Sequence, residues 1–311
     1  MLERADQIDG FLEAMGWNNA TRTMVAGDMS ARKYTRLSLD GKAAILMDAD
    51  SSQASFVKMT IWLGALGLSV PHIVGAKAEE GLLLLEDLGE TSLKAVCLST
   101  PDLEKPLFRD CIDVLLRIRK GDPPALPCPS AKELVDWTRL ADEYYPGIET
   151  TALFGFRAVL QDALEDALLH EPSVSLRDFH TENIMWLPKR QGCRRYGLLD
   201  YQDAFLTHPV YDLVSLLTDA RKFVPVDLRE DIIFAYLERS GDNAEGFQKA
   251  FAAFSAQRNL RILGIFSRAG KHVSLLPNVY NYFVDALQHP MFDSVRTNVL
   301  DVVEPPKGVS T

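Results

Sequence analysis

The sequence predicts an α+β protein with two lobes, a small one built on an antiparallel sheet and a larger one that is mainly helical. Short β-compatible segments and a tight turn occupy the first part of the chain, whereas amphipathic helical patterns dominate from about residue 89 onward. A chain of 311 residues is long enough to bury two hydrophobic cores. We therefore predict two domains, residues 1–88 and residues 89–311.

The small lobe should begin with a helix and continue with strands, a second helix and a buried strand. Ile8, Leu12 and Met15 recur at roughly helical spacing. Asp40-Gly41 is a strong signal for a two-residue hairpin turn. The predicted elements cover, in chain order, residues 2–16, 21–25, 33–39, 43–47 and 55–68 and the leucine run 82–85.

The larger lobe is predicted as a set of amphipathic helices with one stiff connection. Residues 121–129 contain four prolines, which favour a rigid connector rather than a disordered linker. Helices are predicted over residues 103–120, 132–145 and 154–170, and residues 257–269 are taken as one further helix.

Three oxygen-bearing side chains stand around a predicted hairpin. Asn183 follows Asp178 by five residues, and Asp200 comes after a strand–turn–strand pattern over residues 184–199. Because an antiparallel hairpin brings its ends together, we expect Asn183 and Asp200 side by side. An aspartate can accept or orient a hydroxyl proton, and amide and carboxylate oxygens suit Mg²⁺ on a nucleotide. The pattern therefore predicts phosphoryl transfer.

This motif pair resembles the catalytic and metal-binding loops of the kinase-like superfamily, and its Leu-Leu-Asp-Tyr-Gln-Asp-Ala string is most similar to the aminoglycoside phosphotransferase and choline kinase branch. The resemblance implies a two-lobed protein-kinase-like fold that binds ATP and Mg²⁺. Asp178 would then be the base, with Asn183 and Asp200 as metal ligands. Asp203 would either contact the metal or form the turn.

Neighbouring residues receive supporting roles from the same resemblance. His180 would brace the catalytic loop rather than act as the base. Arg177 would steady this loop or neutralise Asp178. Residues 207–217 would form the family helix that packs under the catalytic loop, and Asp212 near its start would accept backbone N–H bonds from the loop.

The nucleotide is expected to contact two further segments. A small-residue loop lets backbone N–H groups approach phosphates, and Glu86, Asp87 and Leu88 would form the hinge that binds adenine. The strand of residues 43–47 lacks the family's phosphate-binding lysine, so either the fold is non-catalytic or Arg36 or a basic residue of the loop replaces it; we favour replacement. The residues of the loop assigned to nucleotide binding are Gly27, Asp28, Ser30, Arg32 and Lys33.

Composition excludes several other functions. The formal net charge is −10, which argues against non-specific binding to nucleic acid or to anionic membranes. The four cysteines form no Cys-x-x-Cys motif, so we expect free thiols in a reducing cytosol. The acidic start of the chain is unlike a signal peptide, and no apolar stretch is long enough to span a bilayer. We expect a cytoplasmic monomer that binds ATP and a small-molecule hydroxyl acceptor.

The predicted acceptor follows from a basic helix in an acidic chain. Arg258, Arg261 and Arg268 fall within about 80° of one another on a helix, and we assign Arg258, Arg261 and Tyr211 to the substrate. The strings around Arg177, Tyr211 and Arg258, and Met47-Asp48 in place of the strand lysine, resemble bacterial kinases of N-acetylmuramate and N-acetylglucosamine. The resemblance implies phosphorylation of the anomeric hydroxyl.

Two alternatives remain open at the level of sequence. One is a kinase of the same fold for an aminoglycoside, choline or homoserine-type acceptor. The other is a pseudokinase-like module that binds nucleotide without catalysis. The acidic residues that could line a cationic acceptor site are Glu133, Asp136, Asp142 and Glu143.

Overall fold

The structure, a computed structural model, groups the chain into two compact units. The first contains residues 1–91 and 185–202, and the second contains residues 92–184 and 203–311. The predicted boundary between residues 88 and 89 stays a prediction. The residues that the structure describes are 4–25, 32–149 and 151–307.

Strands lie mostly in the first unit, and helices make up most of the second. The strands are β1 (Thr21–Val25), β2 (Lys33–Leu39), β3 (Lys42–Asp48), β4 (Ile73–Lys77), β5 (Leu82–Glu86), β6 (Ser173–Ser175), β7 (Ile184–Trp186), β8 (Tyr196–Leu198) and β9 (Phe205–Thr207). The α-helices are α1 (Arg4–Ala14), α2 (Ala54–Ala65), α3 (Leu93–Ser99), α4 (Glu104–Arg119), α5 (Ala131–Asp136), α6 (Leu140–Tyr144), α7 (Phe154–Ala167), α8 (Val210–Leu217), α9 (Val226–Ser240), α10 (Ala244–Ala269), α11 (Leu276–Ala286) and α12 (Arg296–Val302).

The sheet of the first unit has the strand order β1-β2-β3-β5-β4, and each neighbouring pair is antiparallel. Asp40 and Gly41 join β2 to β3 with φ angles of 48° and 74°. Two consecutive positive φ angles match the right-handed twist of the strands that they connect. The predicted α+β class and the predicted hairpin turn are both confirmed.

The core of the first unit lies between this sheet and α1. Phe11 and Leu12 of α1 are buried together with Leu37 of β2 and Leu84 of β5. All four leucines of β5 are buried, as the apolar run predicts for a strand covered on both faces. Each fully buried leucine contributes about 2 kcal/mol to folding, so this strand anchors the sheet.

The hairpin around residues 184–199 also forms as predicted. Strands β7 and β8 pair as a two-stranded sheet, and the backbone N–H of Leu187 donates to the carbonyl of Arg195 at 2.8 Å. A parallel bridge joins Ser69 to Gly197, and the N–H of Leu198 donates to the carbonyl of Ser69 at 2.8 Å. These bonds fix the backbone just before Asp200.

Helix α10 is the longest helix that the structure describes and runs through the second unit with 26 residues. It packs against α6, α7, α8 and α11. A Cβ atom on Gly264 would lie 2.4 Å from the carbonyl carbon of Leu140. Only glycine therefore allows α10 to approach α6 so closely, and this contact fixes the helix that carries Arg258 and Arg261.

Two predicted helices of the second unit differ from those observed. The predicted helix over residues 132–145 is split into α5 and α6 by a 3₁₀ turn at Trp137–Arg139. The Thr138 hydroxyl donates to the carbonyl of Val135 at 2.7 Å and accepts from Arg157 Nε at 3.0 Å, and these tertiary contacts favour the tighter turn.

The predicted helix over residues 207–217 begins only at Val210. Residues before it instead form β9, which pairs antiparallel with β6 through Val174 and Leu206. Pro209 precedes the helix and biases His208 toward an extended conformation. Among the residues described, no helix is both long and apolar enough to cross a membrane.

Candidate active site

The predicted catalytic loop leaves β6 in a strained conformation that Asp212 holds. Arg177 has a φ angle of +73°, which is rare for a residue other than glycine. The Asp212 carboxylate accepts hydrogen bonds from Ser175 Oγ at 2.7 Å, from the N–H of Leu176 at 2.7 Å and from the N–H of Arg177 at 3.0 Å. The carboxylate thus binds the backbone that places Asp178.

Burial shifts the acid–base behaviour of this brace. Burial raises the pKa of Asp212 to about 6, although the hydrogen bonds from Leu176, Ser175 and Arg177 act to lower it. The negative charge of Asp178 makes a smaller contribution to the same rise. Asp212 is therefore ionised at neutral pH, when it can accept all three bonds, and becomes protonated in mildly acidic solution.

A second buried carboxylate, Asp219, holds the other end of the loop and was missed from sequence. One of its oxygens accepts the N–H of Thr181 at 3.0 Å and the Thr181 hydroxyl. Its other oxygen accepts the N–H of Arg221 at 2.8 Å. Asp219 follows Asp212 by seven residues, about two helical turns. Asp219 lies just beyond the end of α8, and a second aspartate directly after that apolar helix is the signal that could have identified it.

Asp178 itself lies close to several arginines of the second unit. Nη2 of Arg258 is 3.6 Å from Oδ1 of Asp178, and the two side chains are 5% and 42% exposed. Burial alone would raise the pKa of Asp178, but the positive charges of Arg258, Arg177 and Arg261 lower it below its usual value. The carboxylate is thus ionised and partly accessible.

His180 and Asn183 are joined to the Asp178 segment by hydrogen bonds. Nδ2 of Asn183 donates to the carbonyl of Asp178 at 3.0 Å and lies 3.2 Å from Nε2 of His180. Burial lowers the pKa of His180, so the ring is neutral and Nε2 can accept. Because these bonds hold the amide nitrogen of Asn183, its Oδ1 is the atom left to bind a cation. Among the described residues, Nδ1 of His180 has no hydrogen-bond partner.

The predicted basic stripe on α10 divides into two parts. The guanidinium carbon Cζ of Arg261 lies 5.2 Å from the centre of the Trp137 ring, and Cζ of Arg177 lies 5.5 Å from the centre of the same ring. Burial lowers the pKa of Arg261. Arg268 lies over Tyr144 instead, at 5.8 Å, and is exposed. Arg177, Arg258 and Arg261 therefore form the cationic group beside Asp178.

Tyr211 has no exposed surface. Its hydroxyl lacks a hydrogen-bond partner among the described residues, and its ring packs against Phe205 and Phe254. Burial lowers the pKa of Arg261, and Tyr211 lies close enough to that guanidinium to offset part of the effect. Any effect of Tyr211 on an acceptor would therefore pass through Arg261 rather than through direct contact.

In the first unit, the segment after β8 fixes Asp200 through its neighbours. Asp200 is exposed, with a φ angle of +57°, and its Oδ1 accepts from Nε2 of Gln202 at 2.7 Å. Tyr201 stacks on Phe56 at 5.0 Å, and its hydroxyl lies 2.7 Å from Oγ1 of Thr60. Sequence reasoning did not assign this anchoring role to Tyr201. Asp203 is exposed and belongs to the second unit.

The basic residues that could replace the missing strand lysine differ in their contacts. Nε of Arg32 donates to Oε1 of Gln53 at 2.9 Å, and Lys33 is exposed. Arg36 instead pairs with Asp87 at 2.6 Å and with Glu90. Gly27, Asp28 and Ser30 of the predicted phosphate loop lie outside the described residues.

The predicted hinge uses its acidic side chains internally. The carboxylate of Glu86 pairs with Arg190 at 2.5 Å, and the backbone N–H of Glu86 donates to the carbonyl of His72 at 2.8 Å. Asp87 pairs with Arg36 and also accepts the N–H of Gly89 at 2.8 Å. Leu88 is buried. A nucleotide would therefore meet the backbone of residues 87–88 rather than these carboxylates.

The Met-Asp pair at the expected lysine position has a structural use. Met47 is fully buried. Asp48 accepts two hydrogen bonds from Arg4, with Nη2 at 2.6 Å and Nε at 2.8 Å. Arg4 also donates to the carbonyls of Ala49 and Glu80 at 2.9 Å. Asp48 thus ties α1 to the sheet.

The acidic residues that could line a cationic acceptor site mostly have other partners. Glu133 completes the N-terminal capping box of α5. Asp136 pairs with Lys132 at 2.7 Å and with Arg139 at 2.9 Å. Asp142 forms a buried ion pair with Arg157 at 2.5 Å, and Glu143 is exposed. These contacts leave little unpaired negative charge.

Comparison with solved structures identifies the class of fold. A choline/ethanolamine kinase family protein from Mesorhizobium loti has a similar structure, with a TM-score of 0.67 over 95% of this chain and 98% of that one. The two sequences are only 13% identical, so the likeness concerns the fold. The chain therefore has the predicted two-lobed, kinase-like fold.

Sequence relatives define the family. Residues 21–248 match the sequence model of the phosphotransferase enzyme family. The N-acetylmuramate/N-acetylglucosamine kinase of Caulobacter vibrioides is 31% identical over 315 residues, which cover 86% of each chain. The kinase of the same name from Pseudomonas putida is 30% identical over 85% of this chain and 81% of its own. The chain belongs to the phosphotransferase enzyme family.

The predicted resemblance is thereby confirmed. The chain is a phosphotransferase that acts on a hydroxyl acceptor, and membership of a kinase family implies ATP as the donor. Among the described residues, no group of three or more His, Cys, Asp or Glu side chains could hold a metal ion.

Proposed function

We propose that the chain is an ATP- and Mg²⁺-dependent kinase that phosphorylates the anomeric hydroxyl of N-acetylmuramate or N-acetylglucosamine. The observation that carries the proposal is the partly exposed Asp178 carboxylate beside Arg258, on a loop that Asp212 braces. Two relatives named as kinases of these sugars support the choice of acceptor.

The first role of Asp178 is to orient the acceptor hydroxyl. The surrounding cations lower its pKa, so at neutral pH it accepts a hydrogen bond from the acceptor hydroxyl and directs the oxygen toward the phosphoryl group. Correct placement of two reactants supplies a large part of the rate in such reactions. The hydroxyl proton passes to Asp178 as the new bond forms, because a late proton transfer suits a loose phosphoryl transition state.

Asn183 and Asp200 are proposed as the oxygen ligands of Mg²⁺. The bonds to the amide nitrogen of Asn183 leave its Oδ1 for the cation, and Asp200 keeps a carboxylate oxygen beyond the one that Gln202 binds. Hard oxygen donors suit Mg²⁺, which takes few protein ligands and completes its shell with phosphate oxygens and water. The metal would neutralise charge on the transferred group. Asp203 remains the weaker candidate.

Nucleotide binding is assigned to the first unit. Arg32 and Lys33 are proposed to neutralise the phosphates, together with Gly27, Asp28 and Ser30 of the preceding loop. Arg36 is a poorer candidate because Asp87 and Glu90 already neutralise it. The backbone of residues 87–88 would bind adenine.

The cationic group of Arg177, Arg258 and Arg261 is proposed to select the acceptor. A carboxylate such as the lactyl group of N-acetylmuramate would be attracted to these arginines, whereas a polycationic aminoglycoside or choline would be repelled. The internal pairing of Asp136 and Asp142 supports the same preference.

An acceptor screen tests the proposal. Purified protein with ATP and Mg²⁺ is given N-acetylmuramate, N-acetylglucosamine, kanamycin, choline or homoserine, and ADP release is measured. We expect turnover with the amino sugars and a higher kcat/KM for N-acetylmuramate than for N-acetylglucosamine. Faster turnover of kanamycin or choline would refute the acceptor assignment.

A further inference from the structure

An open cavity of about 970 Å³ lies in the first unit, and its lining includes Glu86 of the predicted hinge but none of Asp178, Asn183 and Asp200. Its walls come from one face of α2, from the segment that leads into β4 and from the connector between β7 and β8. Strand β4 is one edge of the sheet, whereas β1, which precedes the predicted phosphate loop, is the opposite edge. A volume of this size is typical of sites for small molecules.

The connector supplies positive charge on one side of this cavity. Arg190 is held in place, because Nη1 donates to Ser69 Oγ at 2.8 Å and Nη2 pairs with Glu86 at 2.5 Å. Lys189 and Arg194 are exposed on the same wall. Neither forms an ion pair with any residue in the described ranges. Two unpaired cations at one cavity are notable in a chain whose net charge is −10.

Another part of the lining comes from α2 and is mostly apolar. Val57, Ile61 and Gly64 line it, and the Ile61 side chain is 66% exposed. No atom lies within 4 Å of a Cβ placed on Gly64, so the glycine leaves open space beside the helix. A cavity whose lining contains both cations and exposed apolar surface suits an anion with an apolar portion.

The same helix is connected to the candidate metal residue. Thr60 lines the cavity, and its hydroxyl also lies 2.7 Å from the hydroxyl of Tyr201. Tyr201 is adjacent to Asp200 in the chain. A molecule that shifts α2 would therefore change the contact that fixes Tyr201.

We propose that this cavity is a regulatory site for a small organic anion. The charged group contacts Lys189 and Arg194, and the apolar part lies against Val57 and Ile61. The bound anion alters the activity through α2 and Tyr201. The binding part of this proposal is independent of the proposed function, whereas the regulatory part rests on it.

Binding is tested with 8-anilinonaphthalene-1-sulfonate, an anion with an apolar ring system. Its fluorescence is titrated with the wild-type protein, with the Gly64→Leu variant and with the Gly10→Leu variant. Both glycines lie in helices with open space at Cβ, so each leucine should improve helix propensity without a clash. We expect Gly64→Leu to weaken binding at least tenfold and Gly10→Leu to leave it unchanged. Equal binding by both variants overturns the site.

The anionic requirement is tested by charge removal and competition. The double variant Lys189→Gln and Arg194→Gln should weaken the probe about tenfold, while Arg117→Gln, an exposed arginine on α4, should not. Hexyl phosphate should displace the probe, and hexanol should not. Equal displacement by hexanol, or displacement by ATP at concentrations that saturate the nucleotide site, contradicts a separate anion site.

Regulation is tested by the rate of phosphoryl transfer with and without hexyl phosphate. The rate should change at least twofold in the wild type and in Gly10→Leu, and should not respond in Gly64→Leu. If the probe binds as expected and the rate is unaffected in every variant, the regulatory part is overturned and the binding site stands. If no acceptor is phosphorylated at all, the proposed function fails while the titrations still test the site.

Discussion

Replacement of Arg258 by glutamine is the sharpest test of what keeps the Asp178 carboxylate ionised. Arg258 is almost fully buried, and Nη2 lies 3.6 Å from Oδ1 of Asp178. Glutamine keeps a polar side chain in that place but removes the positive charge. The carboxylate then loses the largest of the cationic influences that lower its pKa, so the pKa of Asp178 rises toward the value that burial favours.

The size of the effect can be worked from the geometry. Two unit charges about 4 Å apart attract by about 4 kcal/mol at an effective dielectric constant of about 20, and by about 1 kcal/mol in water. Because the Asp178 side chain is 42% exposed, solvent screens the pair, and we take about 2 kcal/mol. Since about 1.4 kcal/mol corresponds to a factor of ten in an ionisation constant, we expect kcat/KM to fall roughly 10- to 30-fold at the acid end of the pH profile, where ionisation of Asp178 limits the rate.

The assay is ADP release across pH 5 to 9, with Arg268→Gln as the matched control on the same helix. We expect the acid limb of the Arg258→Gln profile to move to higher pH, and the activity of Arg268→Gln to stay within twofold of the wild type. Arg258→Lys keeps the charge and should restore part of the loss. Thermal unfolding of each variant separates lost stability from lost activity. Equal rates and equal pH profiles for Arg258→Gln and Arg268→Gln would refute the electrostatic role.

Three further changes test the remaining assignments. Asp178→Asn should lower kcat by at least a hundredfold while ATP affinity stays nearly constant, which calorimetry and steady-state kinetics can measure; wild-type turnover would exclude the base. Asp200→Ala should weaken Mg²⁺-dependent ADP binding about tenfold in titrations with and without Mg²⁺, and an unchanged affinity would count against the metal role. Ser175→Ala removes a donor that lowers the pKa of Asp212, so the pKa rises above about 6 and the acid limb of kcat/KM should move upward; a downward shift would contradict this brace.

The sheet and the hairpins were predictable because their signals are local. The Asp40-Gly41 turn, the alternation in β2 and the leucine run of β5 each specify an element from neighbouring residues alone. The spacing of Asp178 and Asn183 likewise identified the family's chemistry. Such patterns depend on backbone geometry that a few residues determine.

Contacts between distant residues were not predictable in this way. Nothing near Arg36 indicates that it pairs with Asp87, 51 residues later, so it was considered for the phosphates. The break between α5 and α6 depends on Arg157, which comes 19 residues after Thr138. Helix propensity alone favours one long helix there, and a tertiary hydrogen bond overrides it.

Two aspartates of the second unit show how environment assigns a role that residue type cannot. Asp178 is partly exposed among arginines that lower its pKa, and Asp212 is buried with a pKa raised to about 6. When two carboxylates are shifted in opposite directions, their functions usually differ. Asp178 can receive a substrate, whereas Asp212 has its oxygens occupied by the backbone that carries Asp178.

The two shifts are also coupled, since the charge of Asp178 raises the pKa of Asp212. An acceptor hydroxyl that donates its proton to Asp178 would reduce the negative charge of that carboxylate. The repulsion between the two aspartates would then weaken, and the ionised form of Asp212 would be stabilised. The brace would then be strongest when the acceptor is bound and the reacting carboxylate must be held most firmly.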